Sequence, residues 1–423
     1  MFEKKKLDNG LRIIFTPLKS MRAITLLVLV GTGSKYETKN INGISHLLEH
    51  MMFKGTTSRP RTLDIVKKLD RVGGIYNAFT GKEFMGFWVK VDAKHFNLCC
   101  DIVSDMLFNS LFEEAEIAKE KNVVVEEINM TKDNPQGYVL DIWEELLYGD
   151  QPAGWSIAGE KDVLQSIPRS EIVKYFKTFF NAENVVISVA GNLEAQEAFS
   201  RIEKSFGKFK KTELAKKLPV VEKQAVPQVM LEFKETDQAH LCLGVRAFDM
   251  FHKERYPLAL IAGVLGGVMS SRLFIKVRER RGLSYYIRTM VENYTDSGYL
   301  VTHTGVDKTK VMEVIKVILK EYENLKTTKV SQAELAKIKD NMKGHLYLGL
   351  ETSDAWASYT GTQEILKRTI VTPEEEIAFI DTITQEDVLR VAQEIFKPEK
   401  LNLAMIGPFK DKAPFEKALK SFK

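Results

Sequence analysis

The sequence predicts an α+β fold of two homologous domains, each a mostly antiparallel sheet packed with helices. Two observations lead to this prediction. Short β-prone runs are interleaved with longer stretches of helical periodicity, and the pattern of the first half returns in the second half. With 423 residues, 44% of them hydrophobic and 28% charged, the chain is long enough for two to four globular domains.

Strands are predicted where β-prone runs end at turn signals. Residues 11–15 and 24–30 are such runs, and the second ends at Gly-Thr-Gly-Ser. Residues 76–91 alternate well enough for a hairpin with a glycine at its bend. Helical spacing covers residues 92–107, and it then extends from residue 113 to about 147, which predicts one long helix.

The second half of the chain repeats segments of the first. Residues 166–192 align without a gap with residues 382–408, a shift of 216 positions, and both predict a helix, a short turn, an apolar strand and a glycine. A second pair, residues 115–121 and 333–339, is shifted by 218 positions. Chance similarity of amphipathic helices is the alternative, but the gapless extent and the similar shifts favour an internal duplication.

A linker is predicted between the two repeats. Residues 209–228 are rich in lysine, contain Pro219 and Pro227, and have little periodicity. The predicted organisation is therefore an N-terminal domain over residues 1–208, this linker, and a homologous C-terminal domain over residues 229–423.

Composition excludes several classes of partner and site. The net charge is +4, from 61 basic and 57 acidic residues, which gives no reason to expect nucleic acid or an anionic membrane as partner. Cys99, Cys100 and Cys242 are too few and too irregular for a disulfide framework, so we expect reduced core cysteines. No apolar run is long enough for a membrane span, and the N-terminus lacks a signal-peptide core, which predicts a cytoplasmic protein.

One short apolar segment concentrates ionisable residues. His46, Glu49 and His50 lie in the predicted helix "GISHLLEHMMF", although the chain has only 7 histidines. Positions i and i+4 of a helix share a face, so His46 and His50 can bind one ion, with Glu49 beside it. This H-x-x-E-H pattern is that of a zinc peptidase with the motif reversed. A surface helix is the alternative, but the intervening leucines and methionines leave little polar surface.

A catalytic zinc needs a third protein ligand. Glu120 and Glu127 are seven residues apart on one face of a predicted helix, with valines between them. One carboxylate can bind the metal and the other can accept a hydrogen bond from a ligating histidine. The pattern alone favours Glu127 as the ligand only weakly. Glu126 points away from that face, and we expect it to be solvated.

The chain resembles the pitrilysin-type (inverzincin) zinc metallopeptidases, in the short bacterial or archaeal form related to mitochondrial processing peptidase. Three blocks carry the resemblance: "NGISHLLEHMMFKGT" at 42–56, "GGIYNAFTGKE" at 73–83 and "KEKNVVVEEI" at 119–128. It implies one Zn²⁺ per chain held by His46, His50 and Glu127, with Glu120 as a supporting carboxylate. It also implies that Glu49 is the general base on the metal-bound water.

A fourth block, "LGGVMSSRLFIKVRERRGLSYYI" at 265–287, is similar to the family's arginine–tyrosine segment. The resemblance implies that Arg278 and Tyr285 hydrogen-bond the substrate and stabilise the tetrahedral intermediate. Without it, a surface arginine and a core tyrosine would be the expected reading, and Tyr286 is adjacent to Tyr285. The second half lacks H-x-x-E-H. The remaining histidines, His240 and His303 among them, are expected to be ordinary surface or core residues.

The resemblance also implies how substrate and partner are bound. Asn77, Ala78 and Phe79 would belong to an edge strand to which a peptide adds as a further strand, while the role of Glu83 stays open. The family forms clamshells around a chamber. Because this chain has both the metal motif and the Arg278–Tyr285 pair, a homodimer is implied in which that pair completes the partner protomer's site.

The predicted function is that of a cytoplasmic zinc endopeptidase that degrades short, unfolded peptides. A processing peptidase that trims one class of presequence is the alternative enzyme. A structural subunit, like the core proteins of respiratory complexes, is the alternative without activity. The intact H-x-x-E-H motif and the Arg278–Tyr285 pair disfavour a structural subunit.

Overall fold

A computed structural model describes residues 2–422. The strands are β1 (Glu3–Lys6), β2 (Arg12–Pro17), β3 (Ala23–Val30), β4 (Ile75–Thr80), β5 (Met85–Asp92), β6 (Val185–Gly191), β7 (Gln228–Phe233), β8 (Gln238–Arg246), β9 (Ser284–Asn293), β10 (Gly298–Asp307) and β11 (Leu401–Gly407). The helices are α1 (Ile44–Met51), α2 (Thr62–Asp70), α3 (Phe96–Asn109), α4 (Glu114–Asp133), α5 (Pro135–Tyr148), α6 (Lys161–Ser166), α7 (Arg169–Phe179), α8 (Ala195–Phe206), α9 (Arg255–Ala262), α10 (Val311–Thr327), α11 (Gln332–Gly349), α12 (Ser353–Lys367), α13 (Pro373–Thr382), α14 (Gln385–Ile395) and α15 (Ala413–Lys420).

The chain forms two compact units that exchange one segment each. The first unit takes residues 2–129 and 156–218 together with 347–372 from the second half, and the second unit takes the remaining described residues, including 130–155. The helices α12 and α5 lie in the exchanged segments. The division predicted from sequence did not contain this exchange, because it followed chain order alone.

The sheet of the first unit has the order β1-β2-β6-β3-β5-β4. Only the β2–β6 pair is parallel; the other pairs are antiparallel. β3 is apolar along almost its whole length, "AITLLVLV", because both of its faces are covered. Helices α1, α3 and α7 contribute to the core on one face, and α12 packs against β3 and β6 on the other.

The sheet of the second unit has the order β7-β11-β8-β10-β9. Its β7–β11 pair is parallel and the remaining pairs are antiparallel, which reproduces the connectivity of β2, β6, β3, β5 and β4 in the first unit. Helix α5 packs against β8 and β11, as α12 does against β3 and β6. The predicted α+β class with two related domains is confirmed.

The element boundaries follow the duplication read from the sequence. Helix α7 and strand β6 correspond, residue for residue at the shift of 216, to helix α14 and strand β11. Helices α4 and α11 likewise begin 218 residues apart, as do α5 and α12. The exchanged helices are therefore equivalent members of the two repeats.

The prediction of one helix over residues 113–147 was wrong. The structure has α4 and α5 with a break at Asn134, whose side chain accepts a hydrogen bond from the Gly137 N–H and caps α5. Pro135 explains the break, because it lacks an N–H donor and its ring disfavours helical geometry at the preceding residue. The break at Pro135 separates α4, which carries the candidate ligands, from α5, which packs on the sheet of the second unit.

Three further features of residues 2–422 concern the cysteines, the predicted linker and the apolarity of the helices. Cys99, Cys100 and Cys242 are buried and free of disulfides. Residues 209–227 contain neither helix nor strand, and β7 begins at the last residue of the predicted linker. Across the described part of the chain, none of the helices combines the length and apolarity needed to cross a bilayer.

Candidate metal centre

The helix with the H-x-x-E-H motif starts from a buried carboxylate. Glu37 accepts hydrogen bonds from the backbone N–H groups of Gly43, at 2.8 Å, and Ser45, at 2.9 Å. The Asn42 amide donates a third bond at 2.8 Å. Burial raises the pKa of Glu37, and these hydrogen bonds oppose the shift by stabilising the carboxylate. Glu37 thus occupies the positive end of α1 and fixes where the helix begins.

The two histidines of α1 face the same point. Ile44, Leu47, Leu48 and Met51 bury the opposite side of the helix in the core. The His46 and His50 rings are packed edge to face, with their centroids 4.8 Å apart. Both side chains are about four-fifths buried, and both keep some access to solvent. The i, i+4 spacing therefore places both imidazoles on the same side of α1.

Glu127 of α4 completes a group of three metal-binding atoms. Its Oε2 lies 3.5 Å from His46 Nε2 and 3.5 Å from His50 Nε2. The three ligand atoms all lie within 4.8 Å of one another. The Glu127 side chain is 41% exposed, and its neighbour Glu126 is also exposed but does not belong to this group of three.

Glu120 lies on α4 seven residues, or two helical turns, before Glu127, and it contacts the Nδ1 nitrogen of His50. The Glu120 carboxylate is 3.1 Å from His50 Nδ1, and its second oxygen is 2.7 Å from Lys54 Nζ. An Nδ1–H that donates to Glu120 leaves the lone pair of His50 on Nε2, which faces Glu127. The two carboxylates on this face of α4 thus contact different nitrogens of His50, Glu120 the Nδ1 and Glu127 the Nε2.

Glu49 is directed to the same region and is bound by Thr80 of strand β4. The Thr80 hydroxyl donates to Glu49 Oε2 at 2.5 Å. Burial raises the pKa of Glu49; the Thr80 hydrogen bond and the charge of His50 oppose this rise, and Glu127 adds to it. A carboxylate with a raised pKa both accepts and returns a proton more readily at neutral pH.

Three lone-pair donors converge at this point. Burial, and then the proximity of His50, lowers the pKa of His46 to about 4, so His46 is neutral at pH 7. Zn²⁺ bonded to nitrogen and oxygen in a tetrahedron separates neighbouring ligand atoms by roughly 3.4 Å, close to the 3.5 Å between Glu127 Oε2 and each histidine nitrogen. Two imidazoles and one carboxylate are also a common donor set of catalytic zinc sites. The residues therefore fit a zinc ion.

The predicted substrate strand is at the edge of the first unit's sheet. β4 pairs only with β5 in the order found among residues 2–422. The Ala78 N–H bonds to the Asn77 side chain at 2.9 Å, so it is directed away from the β5 ladder. Phe79 packs edge to face on Phe84, with ring centroids 5.7 Å apart. The free edge thus lies on the strand that also carries Thr80.

Arg278 and Tyr285 belong to the second unit. Arg278 Cζ lies 5.2 Å from the centre of the Tyr285 ring, and Tyr285 is 80% exposed. Tyr286, in contrast, hydrogen-bonds His240 and His303. The structure therefore separates an accessible tyrosine, next to the arginine, from an anchored one.

Sequence reasoning missed Glu37, Lys54 and Thr80. Their contacts join residues that are distant in sequence, and no periodicity signals such contacts. Glu83, whose role was left open, makes ion pairs with Lys35 at 3.0 Å and Lys217 at 3.1 Å. Glu83 therefore belongs to a buried charge cluster of the first unit.

Known proteins resemble the chain over most of its length. Residues 14–161 match the family described as Insulinase (Peptidase family M16), and residues 166–342 match the Peptidase M16 inactive domain. "Uncharacterized zinc protease YmxG" of Bacillus subtilis is 37% identical over 96% of this chain and 98% of its own. A relative from Streptomyces coelicolor with a similar name is 31% identical over 96% of this chain and 89% of its own.

Two solved structures share the fold. A protease from Helicobacter pylori superposes with a TM-score of 0.91 at 23% identity, covering 96% of this chain and 99% of its own. A peptidase M16 inactive domain from Pseudomonas fluorescens gives a TM-score of 0.89 at 17% identity, covering 97% and 98%. The matched domains span the metal-motif helix, α4 and the segment of Arg278 and Tyr285. This chain belongs to peptidase family M16.

Proposed function

We propose that the protein is a zinc-dependent endopeptidase that degrades short, unfolded peptides. The observation that carries the proposal is the convergence of His46, His50 and Glu127 on one point, with the Glu49 carboxylate close enough for the charges of His50 and Glu127 to affect it. The zinc-protease names of the relatives agree with it. A zinc ion held by those three side chains would supply a Lewis acid that polarises water and the scissile carbonyl.

Four side chains around the three ligands would have separate roles in the reaction. Glu49 accepts a proton from the attacking water and returns it to the leaving amine. Thr80 holds the Glu49 carboxylate in place through its hydrogen bond. Glu120 orients His50 and is itself held by Lys54. Glu49 and His50 therefore each have a hydrogen-bond partner that restricts the orientation of the side chain.

Substrate binding is proposed to use the free edge of β4 and the Arg278–Tyr285 pair. A peptide in extended form would add to β4 as a further strand, with main-chain hydrogen bonds that do not select a sequence. Arg278 and Tyr285 would donate hydrogen bonds to the oxyanion that develops on the substrate. We propose that they act across a homodimer, so that each protomer completes the site of its partner.

The experiment that tests the proposal compares peptide cleavage by wild type, Glu49→Gln and Glu126→Gln. Glu126 is the matched control, because it is an exposed glutamate next to Glu127 on the same helix. We expect Glu49→Gln to lose at least about 10²-fold in kcat, the usual contribution of a general base, and Glu126→Gln to retain wild-type rates. Equal rates in all three proteins would contradict the proposal.

The same assay tests substrate class. A panel of unrelated, quenched fluorescent peptides cut at many positions would support a degrading enzyme. Cleavage confined to one presequence-like peptide would instead support a processing peptidase. A chain that binds no metal and cleaves none of the peptides would support the structural-subunit alternative.

Mixing two inactive variants tests action across a dimer. A Glu49→Gln chain keeps Arg278, and an Arg278→Ala chain keeps Glu49. If the pair acts on the partner's site, half of the dimers in an equimolar mixture combine one chain of each kind, and each of those has one complete site. Activity should then recover to about a quarter of wild type. A mixture that stays inactive while the subunits exchange would refute action across the dimer.

A further inference from the structure

Tyr285 lies in a β-bulge. Strand β9 pairs with β10 in antiparallel register, and the register steps from Gly305–Tyr286 to Val306–Ser284, so that the ladder skips Tyr285. A bulge of this kind bends the strand and changes the direction of the extra side chain. Tyr285 is 80% exposed, and its direction therefore depends on how firmly the bulge is held.

The next residue along the strand anchors the bulge. The Tyr286 hydroxyl lies 2.9 Å from His240 Nδ1 on β8 and 3.1 Å from His303 Nε2 on β10. Three strands are thus connected at a single phenol. Burial lowers the pKa of both histidines, that of His303 to about 4, so both are neutral at pH 7. The hydroxyl can therefore donate to one neutral imidazole and accept from the other.

Two residues of β10, Thr304 and Gly305, favour the observed position of Tyr286. The Thr304 hydroxyl donates to the Tyr286 carbonyl oxygen at 2.7 Å. Gly305 lies opposite Tyr286 in the register. A Cβ at position 305 would approach the Tyr286 ring to 2.8 Å and His240 to 3.1 Å. A side chain there would displace the phenol from its two histidine partners.

We propose that Tyr286 is a positioning residue: held by His240 and His303, it fixes the bulge that presents Tyr285 to the substrate. This inference rests on the proposed function, because it assigns Tyr286 a role through Tyr285. It also explains why two adjacent tyrosines have opposite environments. One is exposed beside Arg278, and the other is tied to the sheet by hydrogen bonds.

The test is a double-mutant cycle on purified full-length protein. Tyr286→Phe keeps the ring and removes only the hydroxyl, and His240→Gln removes one partner. We expect Tyr286→Phe, which loses the hydrogen bonds to His240 and His303, to lower kcat by about tenfold. In a Tyr285→Phe background the same substitution should change kcat by less than about twofold. Tyr347→Phe, at an exposed tyrosine of α11, is the control and should match wild type.

A second measurement does not depend on activity. Amide hydrogen exchange over residues 284–293, measured under conditions in which every variant stays folded, should be faster in Tyr286→Phe and His240→Gln than in wild type and Tyr347→Phe. Wild-type exchange over this segment, or a kcat loss that persists in the Tyr285→Phe background, would overturn the proposal. If the wild-type protein cleaves no peptide, the proposed function fails, and the exchange result alone decides whether Tyr286 holds the bulge.

Discussion

The Thr80 hydroxyl donates a 2.5 Å hydrogen bond to the Glu49 carboxylate, and so connects the edge strand β4 to the helix of the two histidines. Strand β4 is where we propose that substrate binds, and Glu49 is the proposed proton acceptor. One hydrogen bond therefore joins the proposed substrate-binding strand to the proposed general base. Its removal is the first prediction.

Thr80→Val should lower kcat by about tenfold, the effect of one hydrogen bond to a charged group. It should also move the acidic limb of the pH–rate profile to higher pH. Thr80 lowers the pKa of Glu49, so its loss raises that pKa, and more alkaline conditions are needed to keep the base ionised. Thr178→Val, whose hydroxyl bonds only to its own helix, should leave the profile unchanged. An unshifted acidic limb in Thr80→Val would contradict this role.

Glu120→Gln should weaken zinc binding by about 10–100-fold, as losses of a hydrogen-bond partner to a ligating histidine do. The substitution removes the charge that faces both His50 Nδ1 and Lys54. Competition with a chromogenic chelator measures the affinity. Glu116→Gln, one turn earlier on α4, should bind zinc like wild type. Equal affinities for all three proteins would rule out a supporting role for Glu120.

Glu37→Gln should destabilise the protein by about 3 kcal/mol. The N–H groups of Gly43 and Ser45 donate to different oxygens of Glu37, so an amide in its place loses the charge of both bonds and sets its NH₂ group against one of the two donors. Urea unfolding followed by circular dichroism measures the change. Glu160→Gln, an exposed glutamate paired with Lys39, is the control. A midpoint equal to wild type would show that α1 does not depend on Glu37.

Ala78→Pro should raise KM for peptides by about tenfold while zinc content stays the same. The substitution removes an N–H that is directed away from the β5 ladder, and proline is tolerated at such edge positions. An added substrate strand would lose one main-chain hydrogen bond. Ala78→Ser keeps the N–H and serves as the control. Unchanged KM in Ala78→Pro would indicate that substrate binds elsewhere.

Local periodicity predicted the parts of the site that lie on single helices. The i, i+4 spacing of His46 and His50, and the seven-residue spacing of Glu120 and Glu127, are properties of a helix face. Contacts between distant segments were not accessible in this way. Thr80 reaches Glu49 because β4 lies beside α1, which no local pattern specifies.

For the fold, the sequence likewise predicted the repeated elements, but it did not predict how two of the helices are exchanged between the units. The gapless repeat predicted that the two sheets are equivalent. Equivalent helices and strands bury equivalent apolar positions in the two units, and these positions produce the repeated pattern in the sequence. The exchange of α5 and α12 was missed. An amphipathic pattern shows that one face of a helix is buried, but it does not show whether that face packs on the sheet of the first unit or on that of the second. The single break at Pro135 was missed because helical periodicity continues on both sides of it.

Metal content per chain tests the central claim most directly. We expect about one zinc per chain in wild type, Glu49→Gln and Glu126→Gln, and almost none in His46→Ala, His50→Ala and Glu127→Ala. Circular dichroism of each variant checks that it remains folded. This pattern would assign the zinc to His46, His50 and Glu127 independently of activity. A wild-type protein without zinc, or a folded Glu127→Ala variant that retains it, would contradict the proposed centre.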